Sequence, residues 1–444
     1  MLRRLLLTTL ALLALGTGVA STAFAHNSLD ASTPADGTTV DVAPTDIELV
    51  FAKDVPLDTL TVTWIDPTGV RTELAGSVHG AATNIVVTPL PILAAGQHSV
   101  RWRLVGADGH AVTGRVQFTV VVGAATTTAP ALTPSTTVAA AVPDSDVDDA
   151  GADSGSTPDW MRWLLRYAGY LGLMVLAGAL AAEAFVWRRP MPAGAHALLT
   201  PALGVVALTA LAQLAVLAGD LTGRPAWSSL GSLGEAPEHP VGMALVIRIV
   251  LAFVAWLVVV RERPTAPDLA SAVVLLLSIG MLGTWAFTGH ARSLRWPWVG
   301  VPIDVAHHGA AAAWVGGLAV LGAIALPGRH VDDAVPLARR FSRLAPWCVG
   351  IIVVTGVLQT LRIDGGPLGL ATTPHGRLVV VKLALLGVML WMADRNRRLV
   401  LGRFQPDVLG AGDVLVLRRM MLRELAVGVV VVGVTASLVA TDPG

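Results

Sequence analysis

The sequence predicts an α+β multidomain membrane protein, an N-terminal Ig-like β-sandwich followed by a polytopic bundle of about eight transmembrane α-helices. Three observations carry that prediction. The 444 residues are 54% hydrophobic and 14% charged, with a mean hydropathy of +0.66, too apolar for an ordinary soluble chain. Beyond Trp160 the apolar residues fall into separate runs of about 20, the length that crosses a hydrocarbon core of roughly 30 Å. Between His26 and Val122 the pattern is instead short β-rich runs divided by turn residues, the mark of a small sandwich.

Residues 1–25 read as a signal peptide: Arg3 and Arg4, an apolar run from Leu5 to Leu15, and Ala23-Phe24-Ala25 as a small-x-small cleavage site. Cleavage after Ala25 would leave His26 as the first residue. The sandwich is expected over 26–122, with strands at Ile47–Phe51, Leu60–Ile65, Asn84–Thr88, Gln97–Val105 and Arg115–Val122 and turns at Pro34–Gly37, Asp66–Gly69 and Ala107–Gly109. Trp64, Trp102 and Phe118 are expected in its core, and His79 in a solvent-facing loop. Residues 123–159 are Thr/Pro/Ala-rich and then Asp-rich, a composition that buries no core and reads as a disordered tether. Treated as a coil it reaches roughly 35 Å.

The domain from 160 to 444 holds eight predicted spans, near 161–186, 198–219, 241–260, 268–288, 302–326, 345–362, 376–393 and 420–440. Arginines gather on alternate flanks: Arg188 and Arg189; Arg261 and Arg263; Arg329 to Arg343; Arg395 to Arg423. By the positive-inside rule those flanks are cytoplasmic and the sandwich lies outside a plasma or inner membrane. His239, His290, His307, His308 and His375 then all fall toward the outer face. Arg248 and Lys382, within spans, are expected to snorkel or to pair with Asp220 or Asp304.

The stretch from Thr288 to Leu318 concentrates this chemistry. Asp304, His307 and His308 are spaced i, i+3, i+4, which lets the carboxylate share a helix face with an imidazole while the two histidines point about 100° apart. Gly309 to Ala313, Gly316 and Gly317 are small enough to let neighbouring helices close on the site. His290 and His307 sit at similar depth on consecutive spans, and ionisable groups there mark a metal, a haem or a proton path. Cys348 is the one cysteine, so a soft-metal site must use His, Met or carboxylate. The acidic balance of the outer part argues against nucleic acid.

A chain starting at His26 also offers an α-amine and Nδ1 as a two-nitrogen chelate suited to Cu(II), to which Asp108 and His110 can add a carboxylate and a third nitrogen. The sequence Asp108-Gly109-His110 is equally an ordinary turn.

At these residues the chain resembles a known family. The run from His98 to Gly114, with Gly106-Ala107-Asp108-Gly109-His110-Ala111-Val112-Thr113-Gly114, is similar to the signature of the copper-binding CopC family. That resemblance implies Cu(II) ligation by His26, Asp108 and His110, with His98 replacing the family's tyrosine as a packing change. With no methionine between His26 and Asp159, the family's Cu(I) site is absent. The membrane half is similar to CopD through Gly289-His290, Asp304-x-x-His307, Trp314-x-Gly316-Gly317-Leu318, Phe341-Ser342-x-Leu344-Ala345 and Gly376-Arg377-Leu378-x-x-x-Lys382. Together they resemble CopC–CopD fusion copper-resistance and copper-transport proteins of the YcnJ type.

The resemblance implies a non-enzymatic protein that captures Cu(II) outside and passes copper to or through the bundle. His290 and His307 are its candidate membrane ligands, with Asp304 and His308 beside them. Copper ion and membrane lipid are the expected partners. The alternative is an electron-transfer or reductase protein whose His290 and His307 ligate haem or reduce copper. An oxidative enzyme is disfavoured because Asp108 would occupy a coordination position.

Overall fold

The computed structural model describes residues 28–106, 111–121, 157–187, 196–261, 269–288, 297–326, 331–363, 373–402 and 411–441. They form two compact units, one of strands and one of helices.

The strand unit is a sandwich of two sheets. One has the order β1 (Leu29–Thr33), β3 (Asp46–Phe51), β7 (Ile85–Pro89), β6 (Val78–His79). The other runs β2 (Thr38–Val40), β9 (Ala111–Val120), β8 (Gly96–Val105), β4 (Thr61–Ile65), β5 (Arg71–Leu74), with β2 parallel to β9 and the other pairs antiparallel. Alternate residues of β3, β8 and β9 point inward, so Ile47, Leu49, Phe51, Val100, Trp102, Leu104, Val116 and Phe118 share one core.

Trp102 sits edge-on to Phe51, with ring centroids 4.9 Å apart, and lies opposite Gly114 in the β8–β9 register. A Cβ at Gly114 would come within 2.3 Å of the indole, which explains the glycine. His98 is fully buried, stacked between Trp64 and Phe118. Its Nδ1 accepts from the Trp64 indole at 3.2 Å and its Nε2–H donates to the Ala94 carbonyl at 2.9 Å. With both nitrogens used inside the protein, it is a packing residue. His79 is exposed as expected but lies on β6 rather than in a loop, because its ring reaches back to the Val55 carbonyl at 2.8 Å.

Among the described residues the helical unit contains eight helices long and apolar enough to cross a membrane: α1 (Asp159–Trp187), α2 (Leu199–Thr222), α3 (Pro240–Arg261), α4 (Ala270–Phe287), α5 (Trp298–Ala323), α6 (Ala334–Arg362), α7 (His375–Leu401) and α8 (Val414–Leu438). Several outrun their predicted spans. The helix containing α6 runs from Val331 to Ile363 over 33 residues, about 50 Å at 1.5 Å per residue and longer than a hydrocarbon core. Arg339, Arg340 and Arg343 therefore lie on helix, not on a loop as the hydropathy pattern suggests. Arg395, Arg397 and Arg398 of α7 and Arg418, Arg419 and Arg423 of α8 do the same. Helical backbone satisfies its own hydrogen bonds, so it continues past the point where side chains turn polar.

Candidate metal centre

The bundle is organised around α5, which packs against α1, α4, α6 and α8. Its approach to α1 is backbone on backbone. Gly316 closes a π-turn at Ala312–Gly316, and a Cβ there would lie 1.9 Å from the Met174 carbonyl, while one on Gly178 would lie 2.4 Å from Gly316 Cα. Gly317 faces α6, where a Cβ would fall 2.7 Å from the Phe341 ring. The small residues do what their size suggests.

This close packing places Asp304, His307 and His308 among three neighbouring helices. Gln359 of α6 donates its amide to Asp304 Oδ1 at 2.8 Å. His308 Nδ1 donates to the Asp304 carbonyl at 2.9 Å and lies 3.4 Å from Oδ1. Lys382 of α7 interacts electrostatically with the same carboxylate. His307 is buried, and its Nδ1 lies 2.9 Å from Thr355 Oγ1 of α6. That hydroxyl spends its own proton on the Ile351 carbonyl at 2.5 Å, so it accepts from His307 and fixes a proton on Nδ1.

Both histidines are thus held with Nδ1 protonated and the Nε2 lone pair free, the tautomer a metal-ligating imidazole needs. For His308 the point is direct: Nε2 is buried and has no hydrogen-bond partner. The two rings, 5.8 Å apart at 74°, diverge as their spacing predicts. Among the described residues, no three His, Cys, Asp or Glu side chains come together closely enough to hold a metal. A bundle site on His307 or His308 therefore needs a further ligand.

A stack of rings leads away from His308. Tyr170 of α1 lies 5.6 Å from it, Trp285 of α4 lies 5.6 Å from Tyr170, and the Arg248 guanidinium of α3 sits 3.5 Å from the Trp285 ring centre. Arg248 does not snorkel, and among the described residues it pairs with no acid, contrary to expectation. It is 0% exposed, held by Thr284 at 2.8 Å and by Gln213 at 3.5 Å, because α3 turns that face inward and puts Met243, Ile247, Val250 and Phe253 outside.

His290 lies outside the described residues, although the helices flanking it, α4 and α5, do pack together. His26, Asp108 and His110 also lie outside them; Val105 and Ala111, on either side of the Asp108–His110 segment, face each other across the β8–β9 ladder. His239 and His375 are both buried, and His239 Nδ1 accepts the Val241 N–H at the start of α3. Sequence reasoning missed Glu424, which is buried on α8 and accepts from Trp314 of α5 and Asn396 of α7, both at 2.9 Å. It is masked by its neighbours Arg418, Arg419 and Arg423. Thr355 was also invisible, since its importance comes from which ring it meets.

Comparison with known proteins follows the same division. The CopC domain matches residues 29–121, the Copper resistance protein D-like N-terminal domain 157–295, and Copper resistance protein D 335–438. Copper resistance protein C of Pseudomonas syringae pv. tomato is 36% identical over 118 residues, covering 24% of this chain and 91% of that protein. The chain belongs to the CopC–CopD copper-resistance family. The Copper transport protein CutJ of Bacillus subtilis is 24% identical over 387 residues, 83% of this chain and 67% of that protein. Copper resistance protein D of Pseudomonas syringae pv. tomato is 27% identical over 298 residues, 63% of this chain and 96% of that protein. Family members act in copper resistance and transport and are not enzymes. Asp108 and His110 lie inside the CopC match and His290 inside the first CopD match. Thr355, Gln359, Lys382 and Glu424 lie inside the second. Asp304, His307 and His308 fall between the two CopD matches.

Proposed function

We propose that this CopC–CopD chain captures Cu(II) outside the membrane through His26, Asp108 and His110, and delivers copper to His307 and His308 in the bundle, with His290 supplying a further ligand. The observation that carries the bundle half is the locked tautomer of both imidazoles on the central helix, with Asp304 beside them. It prepares two nitrogen donors before any ion arrives. The donor set is nitrogen and oxygen without thiolate, which suits copper better than a zinc structural site.

The arginine-bearing ends of α6, α7 and α8 support an orientation with those ends cytoplasmic and the sandwich outside, in a multi-pass plasma or inner membrane protein. Residues 1–25 act as the signal, 26–122 as the copper-binding domain, 123–159 as a tether and 160–444 as the membrane domain. Haem ligation by His307 or His308 would need an axial partner from another helix; among the described residues His307 meets Thr355 and His308 meets Tyr170.

Two measurements test the proposal. Cells producing the chain should accumulate labelled copper faster than cells without it, and His307→Ala should remove the difference. A secreted sandwich beginning at His26 should show a Cu(II) EPR spectrum that changes when one residue is added before His26. An unchanged spectrum and affinity would reject the terminal chelate; equal accumulation with and without the chain would reject delivery through the bundle.

A further inference from the structure

Arg248 poses a problem that copper handling does not solve. A guanidinium keeps its charge at all accessible pH, and this one is fully buried in the bundle. Among the described residues the group acting on it electrostatically is the Tyr170 phenol, not a carboxylate; the Asp304 carboxylate is engaged by Gln359, His308 and Lys382 instead. The Trp285 face offsets part of the cost of burial. Two of the three guanidinium nitrogens have partners, Nε with Thr284 and one terminal nitrogen with Gln213 Oε1. The other terminal nitrogen is buried with no hydrogen-bond partner, and so is Nε2 of the same Gln213.

Two N–H donors, one of them charged, on side chains that are themselves hydrogen-bonded to each other are thus left without an acceptor among the described residues. The missing partner must supply lone pairs to accept from both donors. A neutral acceptor would satisfy the donors but leave the charge; a single negative charge satisfies both. We infer that Arg248 and Gln213, between α2 and α3, form a binding site for a small monovalent inorganic anion of the halide class. Arg248 faces away from the lipid-exposed residues Met243, Ile247, Val250 and Phe253, which favours a free ion over a lipid phosphate. The site stands two rings, Trp285 and Tyr170, from His308, so the bound anion also cancels a positive charge that would repel a cation at the histidines.

The test uses the full chain in discs of zwitterionic lipid. With radioactive chloride in equilibrium dialysis, about one ion per chain should bind saturably, and replacing gluconate by chloride should raise the melting midpoint along the same curve. Arg248→Met should abolish both effects. Gln213→Leu, which keeps the cation and removes one donor, should weaken chloride binding by about tenfold or more, and it carries the test if the arginine variant does not fold. Absence of saturable chloride with a midpoint indifferent to the anion would mean that water completes the pair, and would overturn the inference. So would equal binding by the parent and both variants, or stabilisation that appears only when anionic lipid is added.

Discussion

Replacing Thr355 by valine should lower the copper affinity of the bundle by about 10- to 100-fold, the usual effect of deleting the group that orients a ligating histidine. In the parent, Thr355 Oγ1 accepts from His307 Nδ1 at 2.9 Å while donating to the Ile351 carbonyl at 2.5 Å. Valine keeps the branched shape and loses both bonds. A buried Nδ1–H that loses its hydroxyl acceptor costs about 1–3 kcal/mol. The ring escapes that cost by moving its proton to Nε2, where it blocks the metal-binding lone pair. At about 1.4 kcal/mol per tenfold in affinity, the penalty and the expected loss agree. The assay is competition against a chelator of known affinity, using the full chain with His26, Asp108 and His110 changed to alanine so that only bundle copper is counted. Thr355→Ser, which retains the hydroxyl, should stay near the parent. Equal affinity in the parent, serine and valine proteins would refute the tautomer argument and leave Thr355 a simple helix-packing residue.

Gly114→Ala should destabilise the sandwich by about 1–3 kcal/mol, since the new methyl would meet the Trp102 indole at 2.3 Å; thermal unfolding of the secreted domain, followed by tryptophan fluorescence, checks this. Gly316→Ala should prevent α1 and α5 from docking, because its Cβ would fall 1.9 Å from the Met174 carbonyl; the expected result is loss of monodisperse protein in detergent, whereas Gly231→Ala, open to space, should purify normally. Asp66 should titrate below the usual aspartate range, held there first by the Thr68 hydroxyl at 2.7 Å and further by the Thr68 and Val70 amides. The small stability this lends is present above the unfolded pKa and fades as pH falls through the lower folded one, so Asp66→Asn should lower the midpoint slightly at neutral pH, remove that acid-side slope and converge with the parent at acid pH.

How much of this was legible in the chain differs by element, for physical reasons. The five strands expected from alternation, β3, β4, β7, β8 and β9, are present; the first four keep their predicted limits to within a residue, whereas β9 starts at Ala111 rather than Arg115. The four that escaped notice, β1, β2, β5 and β6, are the edges of the two sheets. Edge strands are short and polar, which protects them from pairing with other chains and also erases the alternation that would reveal them. All eight spans were visible because hydrocarbon imposes a minimum apolar length on any helix that crosses it. Their ends were not, because a helix continues for as long as its backbone bonds do.

Sequence alone determined the two-part architecture and the copper-family signature around Asp108 and His110, and it singled out Asp304, His307 and His308 as candidates, since rare polar residues in apolar runs stand out by type. It also marked Gly316 as a point of close approach. Only tertiary structure decided what each of these residues touches. His98 became a core residue because Trp64 and Ala94 take both its nitrogens. His307 became a prepared donor because Thr355, 48 positions away, meets its Nδ1. Arg248 and Asp304, which opposite charge suggested as partners, were kept apart by the Trp285 and Tyr170 rings. Glu424 came to tie α5, α7 and α8 together although its own sequence neighbourhood reads as an arginine-rich flank. Composition and period report the environment a residue needs, whereas partners on other helices are chosen by packing, which no local pattern encodes.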